Sequence, residues 1–152
     1  MKKILVFIGL LALVITATEA QILEERDGLY YKDSELYSGT SYTYYDNGGL
    51  KQVMKIKNGL KEGKIKIYFE EGHLNEIRSY KKNLMHGKWV MFNKHGIKTS
   101  VARYKNDHKH GKWIIRNDYG NILYKLEYRE GEKVGVWKRY NENGDIINER
   151  KY

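Results

Sequence analysis

The sequence contains no cysteine and no proline among its 152 residues. Without cysteine, the chain forms no disulfide, no thiolate metal site, no cysteine nucleophile and no lipid-modified cysteine. Acidic residues are also in the minority, because 19 Asp and Glu stand against 28 Lys and Arg and leave a net charge of +9. Apolar residues nevertheless make up 41% and aromatic residues 13%, too much apolar surface for a disordered chain. We therefore expect one folded, basic domain of ordinary size.

The one long hydrophobic run lies at the N-terminus. Lys2 and Lys3 precede twelve apolar or small residues, 4–15, and a short polar stretch ends at Ala20. As a helix these residues would cover roughly 18 Å of a hydrocarbon core about 30 Å thick. The pattern predicts a secretory signal peptide over residues 1–20, with an uncleaved membrane anchor as the alternative. The predicted mature chain has no transmembrane span and is secreted or held in the periplasm or cell envelope.

Cleavage after Ala20 is expected to leave an exported chain that begins at Gln21. Ala20 provides the small residue that the cleavage site requires, and the apolar run before it is too short for a lasting span. Intact-mass measurement of the exported protein tests this expectation. Recovery of only the full-length chain, embedded in a membrane, would contradict the secretory assignment.

Glycine supplies the clearest pattern in the chain. Ten of the 15 glycines fall into two sets, each with a spacing of 24 residues. We assign structural turn roles to all ten of them: Gly39, Gly63, Gly87, Gly111 and Gly135 in the first set, and Gly48, Gly72, Gly96, Gly120 and Gly144 in the second. A fixed period of this length is typical of stacked repeats, and five copies occupy residues 35–152.

Each copy predicts two strands joined by turns. Residues 87–92 form an aromatic and apolar run that stops at the turn signal His95-Gly96, and a second run in each copy ends at Asn-Gly or a similar pair. The sequence thus predicts an all-β fold, an elongated single antiparallel β-meander of five 24-residue hairpin repeats after the signal peptide. Residues 21–34 depart from the frame and are assigned as an N-terminal capping segment, which precedes the repeat domain of residues 35–152.

No motif supports an enzyme. The sequence lacks a Gly-x-Ser-x-Gly element, a phosphate-binding glycine loop and a His-Glu-x-x-His pair. His86 and His110 share a column of the repeat but should lie two strands apart, roughly 10 Å, which is too far to share a metal ion. Hairpin-turn chemistry explains a column of carboxylates at Asp46, Glu70, Asp118 and Glu142. We expect no catalytic residues, no metal and no cofactor.

Basic side chains recur with the repeat and form a candidate binding feature. The basic ladder is Lys57, Lys81, Lys105 and Arg129, and a second ladder is Lys64, Lys88 and Lys112. Repetition should set these cations roughly 10 Å apart along one or both edges of the sheet. They either limit edge-to-edge aggregation or bind an anionic lipid surface, an acidic glycan or an acidic protein.

The tryptophans form the other candidate feature. Trp89, Trp113 and Trp137 each lie two residues after a glycine of the first set. Alternation along the strand places Trp89 on one face with Met91, and Trp113 with Ile115. These indoles either pack against such neighbours or form an open strip for binding a protein.

Several short elements carry a family resemblance. Asn143-Gly144, Gly87-Lys88-Trp89, Gly111-Lys112-Trp113 and Tyr104-Lys105-Asn106 resemble the bacterial variant of the MORN (membrane occupation and recognition nexus) repeat over residues 35–152. The resemblance implies an elongated β-sheet scaffold that contacts proteins or membrane lipids. Some bacterial relatives are antitoxins of toxin–antitoxin systems.

Together these patterns predict an exported, non-enzymatic scaffold that binds another protein through its elongated sheet face. One alternative is a binder of anionic membrane or glycan surfaces that uses the basic ladders. Another is an antitoxin or immunity-type protein that covers a toxin. Specific binding of nucleic acid is not expected of an exported chain, although its positive charge would attract nucleic acid at low salt.

Overall fold

The computed structural model describes residues 23–152, so the predicted signal peptide lies outside the described residues. Strands and turns build this part of the chain, which contains no helix long and apolar enough to cross a membrane. The strands are β1 (Glu24–Arg26), β2 (Leu29–Lys32), β3 (Glu35–Leu36), β4 (Gly39–Tyr44), β5 (Leu50–Lys57), β6 (Leu60–Lys61), β7 (Gly63–Tyr68), β8 (Leu74–Lys81), β9 (Leu84–Met85), β10 (Gly87–Phe92), β11 (Lys98–Lys105), β12 (His108–Lys109), β13 (Gly111–Arg116), β14 (Ile122–Arg129), β15 (Glu132–Lys133), β16 (Val136–Tyr140) and β17 (Ile146–Lys151).

One 14-stranded antiparallel sheet dominates the fold. Its path runs from β4 through β5, β7, β8, β10, β11, β13, β14 and β16 to β17, so each long strand pairs with the next long strand in sequence. The two-residue strands β6, β9, β12 and β15 fold back on the ends of β5, β8, β11 and β14. The predicted all-β meander of hairpin repeats is confirmed. The short returning strands are a feature that the sequence analysis did not predict.

Two kinds of turn alternate along the sheet. The first joins the long strands of a hairpin, as at Gly120, whose φ is +91°, and the register shifts beside it between Ile115 and Arg116. This is the bulged hairpin in which glycine takes the left-handed position. The second joins a long strand to a two-residue strand. There both central residues have positive φ, as at Asn106 (48°) and Asp107 (67°), which defines a tight type I′ hairpin.

The second turns also hold consecutive repeats together. The Asn83 amide donates to the Lys61 carbonyl over 3.0 Å, and the Asp107 amide donates to the Met85 carbonyl over 3.0 Å. The side chains of the same two residues add a second hydrogen bond each. Asn83 Oδ1 accepts from the Lys61 amide and Asp107 Oδ1 accepts from the Met85 amide, both over 2.7 Å. Each repeat is therefore bonded to the preceding one at this end of the sheet as well as along the strands.

Pairing register divides the long strands into two faces. Trp89 pairs with Ala102 and Trp113 pairs with Leu126, and residues directly opposite share a face. We call this the aromatic face. The neighbouring residue Lys88 pairs with Arg103 and points to the other side, which we call the basic face.

A separate three-stranded sheet, β1-β2-β3, precedes the repeats and covers the start of the aromatic face. Met54, Ile56 and Ile65 are each only 4% exposed, and Leu23 and Tyr30 pack against them. Later repeats carry Trp where the first two have Ser41 and Ile65, so the smaller side chains leave room for this covering layer. Burial, with a smaller effect from a hydrogen bond to Glu25, raises the pKa of the Tyr30 phenol.

Candidate protein-interaction surface

Seven rings form a continuous row across the aromatic face. This aromatic ladder consists of Tyr80, Trp89, Tyr104, Trp113, Tyr128, Trp137 and Tyr152. The centres of neighbouring rings are 4.8 Å (Trp137–Tyr152) to 5.8 Å (Tyr80–Trp89) apart, with tilted or edge-on planes. Such pairs stabilise proteins beyond their buried area. The ladder therefore couples each repeat to the next.

The predicted tryptophan site is part of this ladder. Each indole N–H donates to a backbone carbonyl of the preceding hairpin: Trp89 to Ser79, Trp113 to Arg103 and Trp137 to Glu127, over 3.0–3.2 Å. The three side chains are half-buried. Their polar atoms and much of their ring surface are therefore engaged within the chain, which favours the packing interpretation over an open binding strip.

Lysines from the two-residue strands lie over the ladder. Lys109 Nζ is 5.2 Å from the Trp113 ring centre and 5.1 Å from that of Tyr128, and Lys133 lies in the same way between Trp137 and Tyr152. These are cation–π distances. This column was not predicted because the two-residue strands that carry it were not predicted. Its signal in the sequence is the repeat spacing of Lys61, Lys109 and Lys133.

The basic ladder lies on the opposite face from the tryptophans. Lys57, Lys81, Lys105 and Arg129 are all exposed at the last residue of β5, β8, β11 and β14. Lys105 Nζ is 2.8 Å from Glu130 Oε1, and this hydrogen bond lowers the pKa of the Glu130 carboxyl. The structure thus places the ladder at the strand ends beside the second turns, along one long side of the sheet and on one of its faces.

Further cations occupy the same face. The second ladder, Lys64, Lys88 and Lys112, is exposed on β7, β10 and β13, and it ends at Val136 in β16. Pairing register adds Lys55, Lys66, Arg103, Lys125, Lys138 and Lys151. Within the long strands of residues 39–151, the carboxylates on this face are Glu127 and Glu149, and Glu149 is 3.1 Å from Lys138 Nζ. The basic face therefore carries a large uncompensated positive charge.

A shallow depression of about 360 Å³ interrupts the basic face between β13, β14 and β16. Ile114 and Val136 contribute apolar surface, and the charged residues around it are Lys112, Lys125 and Lys138 with one carboxylate, Glu127. Val136 occupies the column of the second ladder, so its short side chain opens the space that a fourth lysine would fill. The depression can accept an apolar side chain flanked by acidic groups.

The two histidines that share a column have local structural roles. His86 Nδ1 lies 3.1 Å from Asn106 Oδ1, and His110 Nδ1 accepts from the Glu130 amide over 3.5 Å. Both histidines thus join one repeat to the second turn of the next. The sequence signal for this linking role is that each histidine directly precedes a glycine of the first set. Residues 23–152 contain no group of three His, Asp or Glu side chains that could hold a metal ion.

The ten repeat glycines occupy two positions. The second set lies in the first turns, with φ between 75° (Gly96) and 91° (Gly120). The first set lies at the junction between the second turn and the next long strand, and Gly63, Gly87, Gly111 and Gly135 have positive φ there. Gly39 differs, since it begins β4 after the small sheet and a Cβ at this position would collide with the Tyr37 ring.

Comparison with known proteins identifies the repeat. The family model described as MORN repeat variant matches residues 37–58, 61–82 and 133–152. No curated protein is significantly similar to the sequence. Among solved structures, the Glycosylation Associate Protein (Gap123) complex from Streptococcus agalactiae is similar over 84% of this chain and 22% of that chain, with 19% identity and a TM-score of 0.39. This chain thus spans about a fifth of that chain's length. These three segments, at both ends of the large sheet, are thus similar to the MORN repeat variant, and the matches support an assignment of the chain as a repeat protein of this kind.

Proposed function

We propose that the protein is an exported, non-enzymatic scaffold that binds an acidic surface of another protein through its basic face. The observation that carries this proposal is the charge asymmetry of the sheet. Two phased rows of lysine and arginine share one face with few carboxylates. Complementary charge of this kind speeds association and selects against basic partners.

A protein partner fits this face better than a simple polyanion does. Next to the cations runs a half-buried apolar row that includes Val53, Ile77, Val90, Val101 and Ile114. Tyr42 and Tyr44, each 46% exposed, extend apolar surface toward the β4 edge. Protein interfaces combine apolar patches with polar rims, and the depression beside Ile114 offers a position for an anchoring side chain.

Replacing Lys81 and Arg129 with Gln together is expected to weaken binding of the protein partner by about tenfold, because two exposed cations of the interface are lost. The Arg139→Gln/Arg150→Gln pair removes the same charge from the aromatic face and serves as the matched control. Partners captured from envelope extract by the chain beginning at Gln21 are identified by mass spectrometry. The affinity of each captured partner for the parent chain and for the two double variants is then measured by surface plasmon resonance at low and physiological salt.

The proposal requires that affinity falls with salt and that only the basic-face variant loses it. Exposed charges are screened within about 8 Å at 0.15 M salt. Equal affinity of both double variants, or binding that salt does not change, would contradict the proposal. An immunity-type role is one form of it, in which the acidic partner is a toxin.

An anionic membrane or glycan surface is the second candidate, favoured by the regular spacing of the basic ladder. Vesicles of neutral lipid with and without anionic lipid distinguish the two functions. Binding to the anionic vesicles that the Lys81→Gln/Arg129→Gln variant loses, together with no captured protein, would replace the protein-scaffold proposal with this one.

A further inference from the structure

Besides the depression on the basic face, the structure has another on the aromatic face, at the last repeat. Its volume is about 360 Å³, and it lies across β14, β16 and β17. The residues that line it are Tyr124, Leu126, Trp137, Lys138, Arg139, Asn148, Arg150 and Tyr152. The lining thus combines two guanidinium groups, an ammonium group, an amide, an indole, two phenols and a leucine, with no carboxylate among the lining side chains. The volume is within the range of small-molecule sites and well above that of a single phosphate ion.

Three of these residues lie in columns of the repeat that vary from copy to copy. Arg139 occupies the column of Thr43, Ile67, Met91 and Ile115. Asn148 occupies the column of Gln52, Glu76, Ser100 and Tyr124, and Arg150 that of Met54, Arg78, Ala102 and Leu126. Arg139 pairs directly with Asn148 in the sheet and also with Tyr124 on its other side. Tyr124, Arg139 and Asn148 are therefore adjacent in the sheet, and Arg139 is the one charged residue of its column.

The charge of this site is not neutralised by the described residues. Arg78, the other arginine of the Arg150 column, has its guanidinium 2.6 Å from the Glu76 carboxylate, and this hydrogen bond raises the pKa of Arg78. Over residues 23–152, neither Arg139 nor Arg150 has an ion-pair partner. The glutamate of the earlier repeat is replaced by Asn148, so an anion supplied by a ligand would take the position of that carboxylate.

The aromatic ladder holds one of the two guanidiniums in place. The Arg150 guanidinium carbon lies 4.9 Å from the centre of the Tyr152 ring, and that ring lies 4.8 Å from the Trp137 ring. A guanidinium over an aromatic ring keeps its N–H groups in its own plane, where they can bind a carboxylate through two hydrogen bonds. Little side-chain entropy is then lost when an anion binds.

We propose that this depression binds a sugar acid, a pyranose ring bearing a carboxylate, as part of an acidic glycan. Arg139 and Arg150 bind the carboxylate, the Asn148 amide bonds to ring hydroxyls, and the phenol ring of Tyr124 contacts the apolar side of the sugar. Simple anions lack the hydroxyl and ring contacts, and an acidic peptide lacks the flat ring that the aromatic walls match. Arg139, Arg150 and Asn148, which would hold the ligand, lie on the aromatic face, so this proposal does not depend on the proposed protein scaffold function, although Lys138 lines both depressions.

Titration calorimetry with trigalacturonic acid tests the proposal. We expect saturable binding by the chain beginning at Gln21, and at least a tenfold loss of affinity in Arg139→Gln and in Arg150→Gln. Arg103→Gln removes the same charge from the exposed basic face and is expected to change the affinity by less than twofold. Thermal melting of each variant confirms that it remains folded, because Arg139 and Arg150 have no ion-pair partner in the described sheet to lose.

Three further probes decide whether the ligand class is right. A neutral trisaccharide of galactose, inorganic phosphate and a glutamate-rich peptide are titrated under the same conditions. Weaker binding of all three supports the sugar-acid site. Equal affinity for phosphate or for the peptide, or an equal loss in Arg103→Gln, would overturn it in favour of general attraction between opposite charges. Absence of binding by trigalacturonic acid would overturn it as well, and would leave the basic-face proposal untouched.

Discussion

Trp113→Ala is expected to lower the free energy of unfolding by about 3 kcal/mol, at the lower end of the range for removing a large aromatic side chain because Trp113 is only half-buried. The substitution removes ring contacts with Tyr104 (5.3 Å) and Tyr128 (5.2 Å). It also leaves the Arg103 carbonyl without its indole donor. Urea denaturation followed by far-ultraviolet circular dichroism measures the loss.

Two variants make this result specific. Lys112→Gln changes the adjacent exposed residue and should leave stability nearly unchanged. Trp113→Phe retains an aromatic ring but loses the hydrogen bond, so it should fall between Trp113→Ala and the parent protein. A Trp113→Ala protein as stable as the parent would mean that the ladder does not hold neighbouring repeats together.

Gly120→Val is expected to destabilise the protein by about 2 kcal/mol, since a β-branched residue is strained at a φ of +91°. A Cβ there would also lie 3.3 Å from Ile97 Cγ2 of the preceding repeat. Thermal and urea denaturation should both show the loss.

Gly72→Val separates the two causes. Gly72 has a φ of +88°, and a Cβ built there meets no atom within 4 Å. A similar loss in both variants would assign the cost to backbone conformation, and a loss confined to Gly120→Val would assign it to contact with Ile97. Unchanged melting of both variants would contradict the glycine-dependent hairpin fold.

The hairpin architecture was predictable because its determinants are local. A phased glycine such as Gly120 fixes a turn, and the turn fixes which residues pair. The face on which the basic ladders lie was not predictable from their spacing alone. That Lys57 and Trp89 lie on opposite faces follows from the pairing register of the strands. The bulge beside each first turn shifts this register, and the sequence does not show the shift.

Contacts between repeats were harder to predict. The distance from Lys109 to the Trp113 and Tyr128 rings depends on how a two-residue strand folds back across its neighbour. The hydrogen bond between the Asn83 side chain and the Gly28 carbonyl joins residues 55 positions apart, and no periodic pattern links them. The depression lined by Arg139 and Arg150 was not predictable from the repeat, because its polar residues lie in columns that vary from copy to copy.

The two hydrogen bonds at a second turn join one repeat to the next, so the sheet can be lengthened or shortened by whole repeats. Because each strand on the path of the large sheet, residues 39–151, pairs with its neighbours along that path, the stability of this sheet is close to a sum of units and of the junctions between them. Losing one 24-residue unit in evolution would shorten the sheet by two strands, roughly 10 Å, and would keep the spacing of the remaining cations. Natural variation in repeat number can therefore change how long a surface the protein covers without changing the chemistry of that surface.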